Sequence, residues 1–512
     1  MPPDPPDPLA LLRRHFGYEA FRPGQESLVR AVLAGRDALG VLPTGGGKSV
    51  CYQIPALALG GLTLVVTPLV SLMEDQVRRA GEVGLRGAFL SAGQGADQRR
   101  ATLQRARMGA LDVLFVAPER LGTPGFLDAL REARVRLLAV DEAHCISEWG
   151  HDFRPAYREI GRVRGVVGAP VLALTATATP RVRRDVEESL ALRDPLRVVR
   201  SFDRPNLAWA VRRSGGLRSR CLAVHRLLRR VPGVAVVYAP TRRGVDDVRD
   251  VLASLGVRAE AYHAGLSAAE RSRVQDAFMG GACRVVVATN AFGMGIDKAC
   301  VRLVAHVQLP GTLESYYQEA GRAGRDGAPA WCVAFRGPGD GLLARGFVDR
   351  SHPPRRALER LHRRLRRLSG ARGDVVLDAG ALRSLADPLG GVAEVLGGVA
   401  ALGRAGAVKV LEGSLEESLE GAEGTEGDSA GSQWVRVGVR SRLDPAPALR
   451  LRRAALDKLR AVRRYAEART CRRREILAYF GEDAPHRCGA CDGCLSGGRL
   501  ASFSEQVPWT DI

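Results

Sequence analysis

Short apolar runs alternate with longer amphipathic stretches from about residue 37 to residue 340. Runs at 38–42, 62–67, 111–116, 136–140 and 171–175 are continuous, which predicts strands buried on both faces of a parallel sheet, with helices between them. The pattern restarts at 233–238, 258–262, 284–289, 301–308 and 330–335. Two tandem α/β domains are expected, over 1–202 and 203–344, joined near SFDRPNLAW (Ser201–Trp209).

Beyond residue 340 the period changes. PPRRALERLHRRLRRL (Pro353–Leu368) sets leucines at 358, 361, 365 and 368 on one helical stripe among seven arginines. Helical stretches ALRSLADPLGG and VAEVLGGVAALGRAG lead to a strand AVKVL, an acidic stretch Glu412–Gln433 with seven acids and no base, and a strand WVRVGV. The acidic stretch predicts a solvated loop. Helices followed by a two-stranded ribbon describe a winged helix, so 345–448 is expected to be a mostly helical, winged-helix-like insert. Its arginines would grip duplex phosphates, and the loop 412–433 would point away from them. Deleting it would then weaken fork binding and spare stimulation by single strands. A basic helix from about Leu449 to Thr470 opens a last module, 449–496, followed by a tail, 497–512.

Charge narrows the partners. The 512 residues carry 76 lysines and arginines against 56 acids, a net charge of +20 with pI near 10.2, which points to a polyanion. Only four of the 76 are lysine (Lys48, Lys298, Lys409 and Lys458), a bias that arginine-rich codon usage explains. It makes each surviving lysine worth a look, because arginine's planar fork cannot replace a compact point charge everywhere. MPPDPPDPLALLRRHF has no leader pattern, and the uncharged run Ser49–Met73 is broken by Pro55, Gly60, Gly61 and Pro68. A cytosolic chain with no membrane partner is expected.

VLPTGGGKSVCYQIP (Val41–Pro55) follows a strand and opens a helix. Thr44, Gly45, Gly46 and Gly47 can turn backbone N–H groups onto phosphate, Lys48 can reach the β- and γ-phosphates, and Ser49 can hold magnesium. The strict phosphate-loop pattern wants glycine where Leu42 stands. Asp141 and Glu142, expected at the end of the fourth strand, suit a magnesium ligand acting through water and a base for the attacking water. In SYYQEAGRAGRDG (Ser315–Gly327), Arg322 and Arg325 would share one face if helical and could reach the γ-phosphate from the second domain. An arginine finger is worth roughly 10³ to 10⁵ in rate. Directly after the acids, CISEWGHDFRP brings Trp149, His151, Phe153 and Arg154, an aromatic and cationic run for which a metal site gives no reason.

Cys471, Cys488, Cys491 and Cys494 follow at intervals of 17, 3 and 3. Four thiolates with tight C-x₂-C spacing suit a structural zinc site, and an iron–sulfur cluster is the rival.

In this order, the motifs resemble those of superfamily 2 helicases and, within them, the RecQ family. FGYEAFRPGQ (Phe16–Gln25) is similar to the family's adenine segment, which implies that Tyr18 and Arg22 sandwich the base and Gln25 bonds its edge. PTGGGKS resembles the first motif, and the family too lacks the leading glycine. TPLVSLMEDQV, DEAH, TATA, YHAGL, ATNAFGMGIDK and QEAGRAGRDG follow in family order. The resemblance implies RecA-like motor domains using ATP, Mg²⁺ and Zn²⁺, with Gln318, Arg322 and Arg325 completing the catalytic set. It also implies 3′–5′ movement on single-stranded DNA and unwinding of duplex or forked DNA in recombination and repair. The expected protein is a monomer of the bacterial cytosol or nucleoid, with single-strand-binding or repair proteins as possible partners. The run after DEAH resembles the loop by which the family senses single strands: Trp149 and Phe153 offer stacking faces worth about 1–3 kcal/mol each, and Arg154 would carry binding to the nucleotide cleft.

Two departures stand out. Only 18 residues follow Cys494, while about 110 lie between the second motor domain and the cysteine helix. Asp297, where asparagine is sometimes seen, is a minor third. DEAH alone would also suit an RNA helicase, and the basic insert would suit an ATP-switched DNA-binding regulator that separates no strands.

Overall fold

In a computed structural model, residues 6–43, 45–68, 70–91, 93–123, 125–150, 152–292, 298–386, 391–412 and 435–495 are described. Thr44, His151, Asp297, the acidic stretch beyond Glu412 and the tail 497–512 lie outside them.

The first domain is a seven-stranded parallel sheet of β1 (Ala38–Val41), β2 (Leu62–Val66), β3 (Gly87–Leu90), β4 (Val113–Val116), β5 (Val135–Val140), β6 (Val171–Thr175) and β7 (Leu196–Val199). The order is β3-β4-β2-β5-β6-β1-β7. β1, β2, β4 and β6 are fully buried and β5 is buried from Leu137 onward, which is why they read as continuous apolar runs. The edges β3 and β7 alternate between buried or half-buried and more exposed positions and lie below that signal. Because β3 precedes it, the strand before Asp141 is the fifth, not the fourth.

The second sheet is also parallel: β8 (Leu207–Arg213), β9 (Val234–Tyr238), β10 (Glu260–Tyr262), β11 (Val285–Ala288), β12 (Val301–His306) and β13 (Ala330–Arg336), ordered β10-β11-β9-β12-β13-β8. β8 begins inside the segment expected to be a linker. Pro205 and Asn206 mask its start, yet Leu207 to Val211 are buried and pair with β13 from Leu207↔Ala330 onward.

Past β13 a helical hairpin forms from Asp340–Ser351 and Ala446–Glu467. The composition changes expected to mark boundaries at 344/345 and 448/449 therefore fall inside helices. Between the hairpin's arms sits the insert: helix Arg355–Ser369, β14 (Asp374–Leu377), helices Ala379–Ala386 and Val392–Arg404, then β15 (Val408–Glu412) and β16 (Val435–Val439). β16 is the middle strand, antiparallel to both others. β14 is an addition to the expected two-stranded ribbon, short and half-exposed. Leu358, Leu361 and Leu365 bury the inner stripe of the arginine-rich helix, while Leu368 is 52% exposed.

The cysteine segment docks where the two domains meet. Phe480 stacks on Phe202 at 4.2 Å, Arg183 of the first domain donates to Phe480 O at 3.1 Å, and the Val211 N–H of β8 donates to Asp492 Oδ2 at 2.9 Å.

Candidate active site

The phosphate loop leaves the carboxyl end of β1, where ligands of parallel sheets bind. Gly45 and Gly47 take φ of +79° and +69°, left-handed backbone that favours glycine and can turn N–H groups toward an anion. Gln25 braces the loop: its Nε2 donates to Gly46 O and Gly47 O, both at 2.9 Å, and its Oε1 accepts from the Arg22 N–H at 2.8 Å. The expected reader of the base edge is thus engaged with loop carbonyls. Arg22 donates to Gly45 O, and Tyr18 is 53% exposed, so a face for a base stands open beside the loop.

Lys48 Nζ lies 3.6 Å from Glu142 Oε1. Asp141 is anchored through its backbone, N–H to Val66 O at 2.8 Å and carbonyl to the Tyr157 hydroxyl at 3.0 Å. Burial, then the charge of Glu142, push the Asp141 carboxyl up to about 6 against the pull of Lys48. Tyr52, whose own pKa burial raises, hydrogen-bonds Ser49 and feels Asp141, so the two expected magnesium residues share one neighbour. A divalent cation fits there, because it would offset the cost of ionising a buried carboxylate.

Glu142 holds φ of +46°, a conformation costing a non-glycine residue about 1–3 kcal/mol. Its Oε2 is 3.3 Å from His144 Nδ1, which lies 2.8 Å from Thr175 Oγ1. Thr175 in turn donates to Thr177 O at 3.2 Å. This relay from the acids to the end of β6 was not singled out from sequence, although DEAH and TATA supplied its letters.

In the second domain the helix Leu313–Ala320 stops at Gly321. Arg322 and Arg325 therefore stand in the turns after it, so the condition for one shared helical face is not met. Both still reach the first domain. Gln318 and Arg322 line a cleft of about 200 Å³ together with Glu142, His144 and Arg154. A side chain at Gly45 would lie 3.7 Å from Arg325 Cδ, so Arg325 covers the phosphate loop.

The aromatic loop is folded back on the acids. A Cβ at Gly150 would fall 2.2 Å from His144 O, so only glycine permits this turn. The Arg181 guanidinium lies 3.2 Å from the Trp149 ring centre, and that of Arg158 lies 5.3 Å from Phe153. Arg154 pairs with Asp152 at 3.3 Å, donates Nη1 to Pro68 O at 3.2 Å and lines the cleft with Glu142. One side chain thus joins the loop, the segment after β2 and the cleft beside Glu142.

The sulfurs of Cys471, Cys488, Cys491 and Cys494 lie within 4.8 Å of one another. The Arg472 N–H donates to Cys491 Sγ at 3.3 Å and the Cys488 N–H to Cys494 Sγ at 3.4 Å, contacts that favour thiolates. Four converging sulfurs fit a closed tetrahedral zinc site. Zinc there would clip the helix Arg472–Tyr479 to the loop that carries Asp492 onto β8.

Comparison with known proteins agrees with this geometry. Residues 22–186 match the DEAD/DEAH box helicase family, 219–327 the helicase conserved C-terminal domain, and 439–495 the RecQ zinc-binding family. The chain is 43% identical over 360 residues to the ATP-dependent DNA helicase RecQ of Haemophilus influenzae, covering 69% of this chain and 57% of that one. It is 40% identical over 341 residues to the probable ATP-dependent DNA helicase RecS of Bacillus subtilis, covering 66% and 68%. Among solved structures, the Mycobacterium smegmatis helicase Lhr bound to ssDNA and AMP-PNP shares the fold, with a TM-score of 0.53 and 23% identity over 74% of this chain and 56% of that one. The chain spans little more than half the length of the Haemophilus relative. Among the described residues no helix is long and apolar enough to cross a membrane. With two parallel-sheet motor domains, a phosphate loop facing an arginine across their cleft, and a four-cysteine module at their junction, the chain belongs to the RecQ family of helicases.

Proposed function

We propose that this chain is an ATP-driven DNA helicase that moves 3′ to 5′ along one strand and unwinds duplex or forked DNA in recombination and repair. The observation that carries the reading is the reach of the second domain into the first: Arg325 over Gly45, and Arg322 and Gln318 in one cleft with Glu142. ATP seated on the phosphate loop would meet Lys48 from one side and these arginines from the other. Magnesium, when bound at Ser49 and Asp141, neutralises charge on the β- and γ-phosphates. Glu142 orients the attacking water, and the arginines stabilise charge on the transferring phosphoryl group. Loss of that group weakens the hold of the second domain on the first, so the cleft opens once per turnover. Arg154 supports the coupling, because it touches both the aromatic loop and the hydrolytic cleft. Tyr18 and Arg22 bind the base, and zinc on the four cysteines has a structural role. The protein would act as a cytosolic monomer, alongside single-strand-binding or repair proteins.

Strand displacement on forked duplexes with 3′ or 5′ tails tests this. ATP-dependent displacement with the 3′ tail is expected. ATP hydrolysis without displacement would favour a DNA-binding switch, and stronger ATPase stimulation by RNA than by DNA would favour an RNA helicase.

A further inference from the structure

The insert is tightly seated. A Cβ at Gly397 would fall 2.3 Å from Arg350 O in the hairpin, and one at Gly398 would fall 2.4 Å from Leu361 Cδ2 in the arginine-rich helix. The helix Val392–Arg404 is therefore closed in by its neighbours, which removes it as a probe for a DNA groove. What it delivers lies at its end. Arg404 Nη2 donates to Ser351 O at 2.8 Å, and among the described residues its buried Nε has no hydrogen-bond partner.

Arg404 lines a cavity of about 550 Å³ whose walls come from both motor domains, the hairpin and the insert. Gly150 and Phe153 of the aromatic loop, Thr312 and Ser315 of the second domain, and Lys458 of the hairpin are among them. Lys458, one of the four lysines, donates to Gly150 O. The charges in this cavity are matched unevenly. Glu148 pairs with Arg158 and Asp152 with Arg154, while Glu319 Oε2 lies 2.8 Å from His306 Nε2. Arg404 and Lys458 donate to backbone carbonyls, and among the described residues neither has an ion pair. His352, flanked by Arg404, Lys458 and Arg452, is held down at about 4 by burial and then by these cations, so it is neutral at physiological pH. Burial likewise lowers Arg404 and Lys458, against the opposing pull of Glu148 and Glu314 respectively. Two half-buried cations that no ion pair neutralises among the described residues gain from an entering anion.

We propose that this cavity is a phosphate site of the bound single strand, with Arg404 of the insert and Lys458 of the hairpin as its two cations. The site rests on the reading of the protein as a DNA motor. It gives the insert a place in the strand's path instead of a separate grip on duplex. A phosphate held here keeps the strand beside Phe153, and transfer of Lys458 from Gly150 O to phosphate frees the turn of the aromatic loop.

The test is fluorescence anisotropy of a labelled oligo(dT) with the full-length protein, without nucleotide, over a series of salt concentrations. Arg404→Gln and Lys458→Gln are compared with Arg258→Gln, which removes an equal charge from the loop before the edge strand β10. Each phosphate contact on a single strand contributes about 0.7 to the slope of log affinity against log salt. Each cavity variant is expected to lose about that slope, Lys458→Arg to retain it, and the control to keep it. Arg404→Gln with an undiminished slope overturns the site even if affinity falls, because Arg404 would then be only a packing residue. Since the measurement needs neither hydrolysis nor unwinding, failure of the helicase reading would leave its outcome unaffected.

Discussion

In the phosphate loop Gly45 and Gly47 take left-handed backbone beside a nucleotide site, whereas in the insert Gly397 and Gly398 sit in a regular helix and let neighbouring elements close on it. One pair stands at a candidate ligand site and the other serves packing. The difference teaches how far each region can be read. A loop whose backbone must meet phosphate is held to a few residues at fixed spacing, so its letters reveal it. A helix that must only fit its neighbours leaves a pattern, and the pattern does not say which face is covered. The insert's arginine-rich pattern points to DNA, but the pattern does not tell that its third helix is enclosed and that Arg404 at its end lines a cavity with the aromatic loop.

The largest effect that would break this comparison lies at Lys48. Lys48→Ala is expected to abolish ATP hydrolysis, measured as phosphate release, and Lys48→Arg to fail as well, because a guanidinium does not fit a nest shaped for an ammonium. An arginine variant with near wild-type turnover would remove the loop from the account. Next comes Arg325→Ala. If its contact with Gly45 is that of an arginine finger, turnover should fall about 10³- to 10⁵-fold; a loss under about tenfold would make the contact incidental.

The glycines themselves sharpen the contrast. Gly45→Ala should cost most of the ATPase activity and little stability. Gly398→Val should do the reverse, lowering unfolding free energy by about 1–3 kcal/mol through overpacking against Leu361. Denaturant unfolding and phosphate release on both variants decide it, and equal effects would erase the distinction.

The smallest expected effect concerns Asp141. Its folded pKa, near 6, lies above the ordinary 3.8, so the folded state holds the proton to higher pH than the unfolded chain. Ionising it therefore costs stability as pH rises through that window, and the full cost is present above about 6. Asp141→Asn, without magnesium, should raise the melting temperature at pH 7.5 and leave it unchanged near pH 3.5. A destabilising substitution at neutral pH would contradict this.

Most of the motor was legible because buried parallel strands are continuous apolar runs and the site residues follow their ends. The edge strands β3 and β7 were missed because half-exposed strands lack that signal, and β8 because Pro205 and Asn206 read as a connection. Arg322 and Arg325 would share one face only in a helix, and Gly321 ends the helix before them. The His144–Thr175 relay and the pairing of Arg404 with Lys458 join residues far apart in sequence, which no local pattern reports. The scarcity of lysine did mark Lys458, without saying what it faces.

The central claim is that strand and nucleotide are sensed through one connected structure, with Arg154 as the link between the aromatic loop and Glu142. Steady-state ATP hydrolysis by wild type and Arg154→Ala, with and without saturating oligo(dT), tests it most directly. The ratio of DNA-stimulated to DNA-free turnover should be well above one for wild type and close to one for the variant. A variant that keeps the wild-type ratio would show that DNA reaches the cleft by another route, and the claim would be wrong.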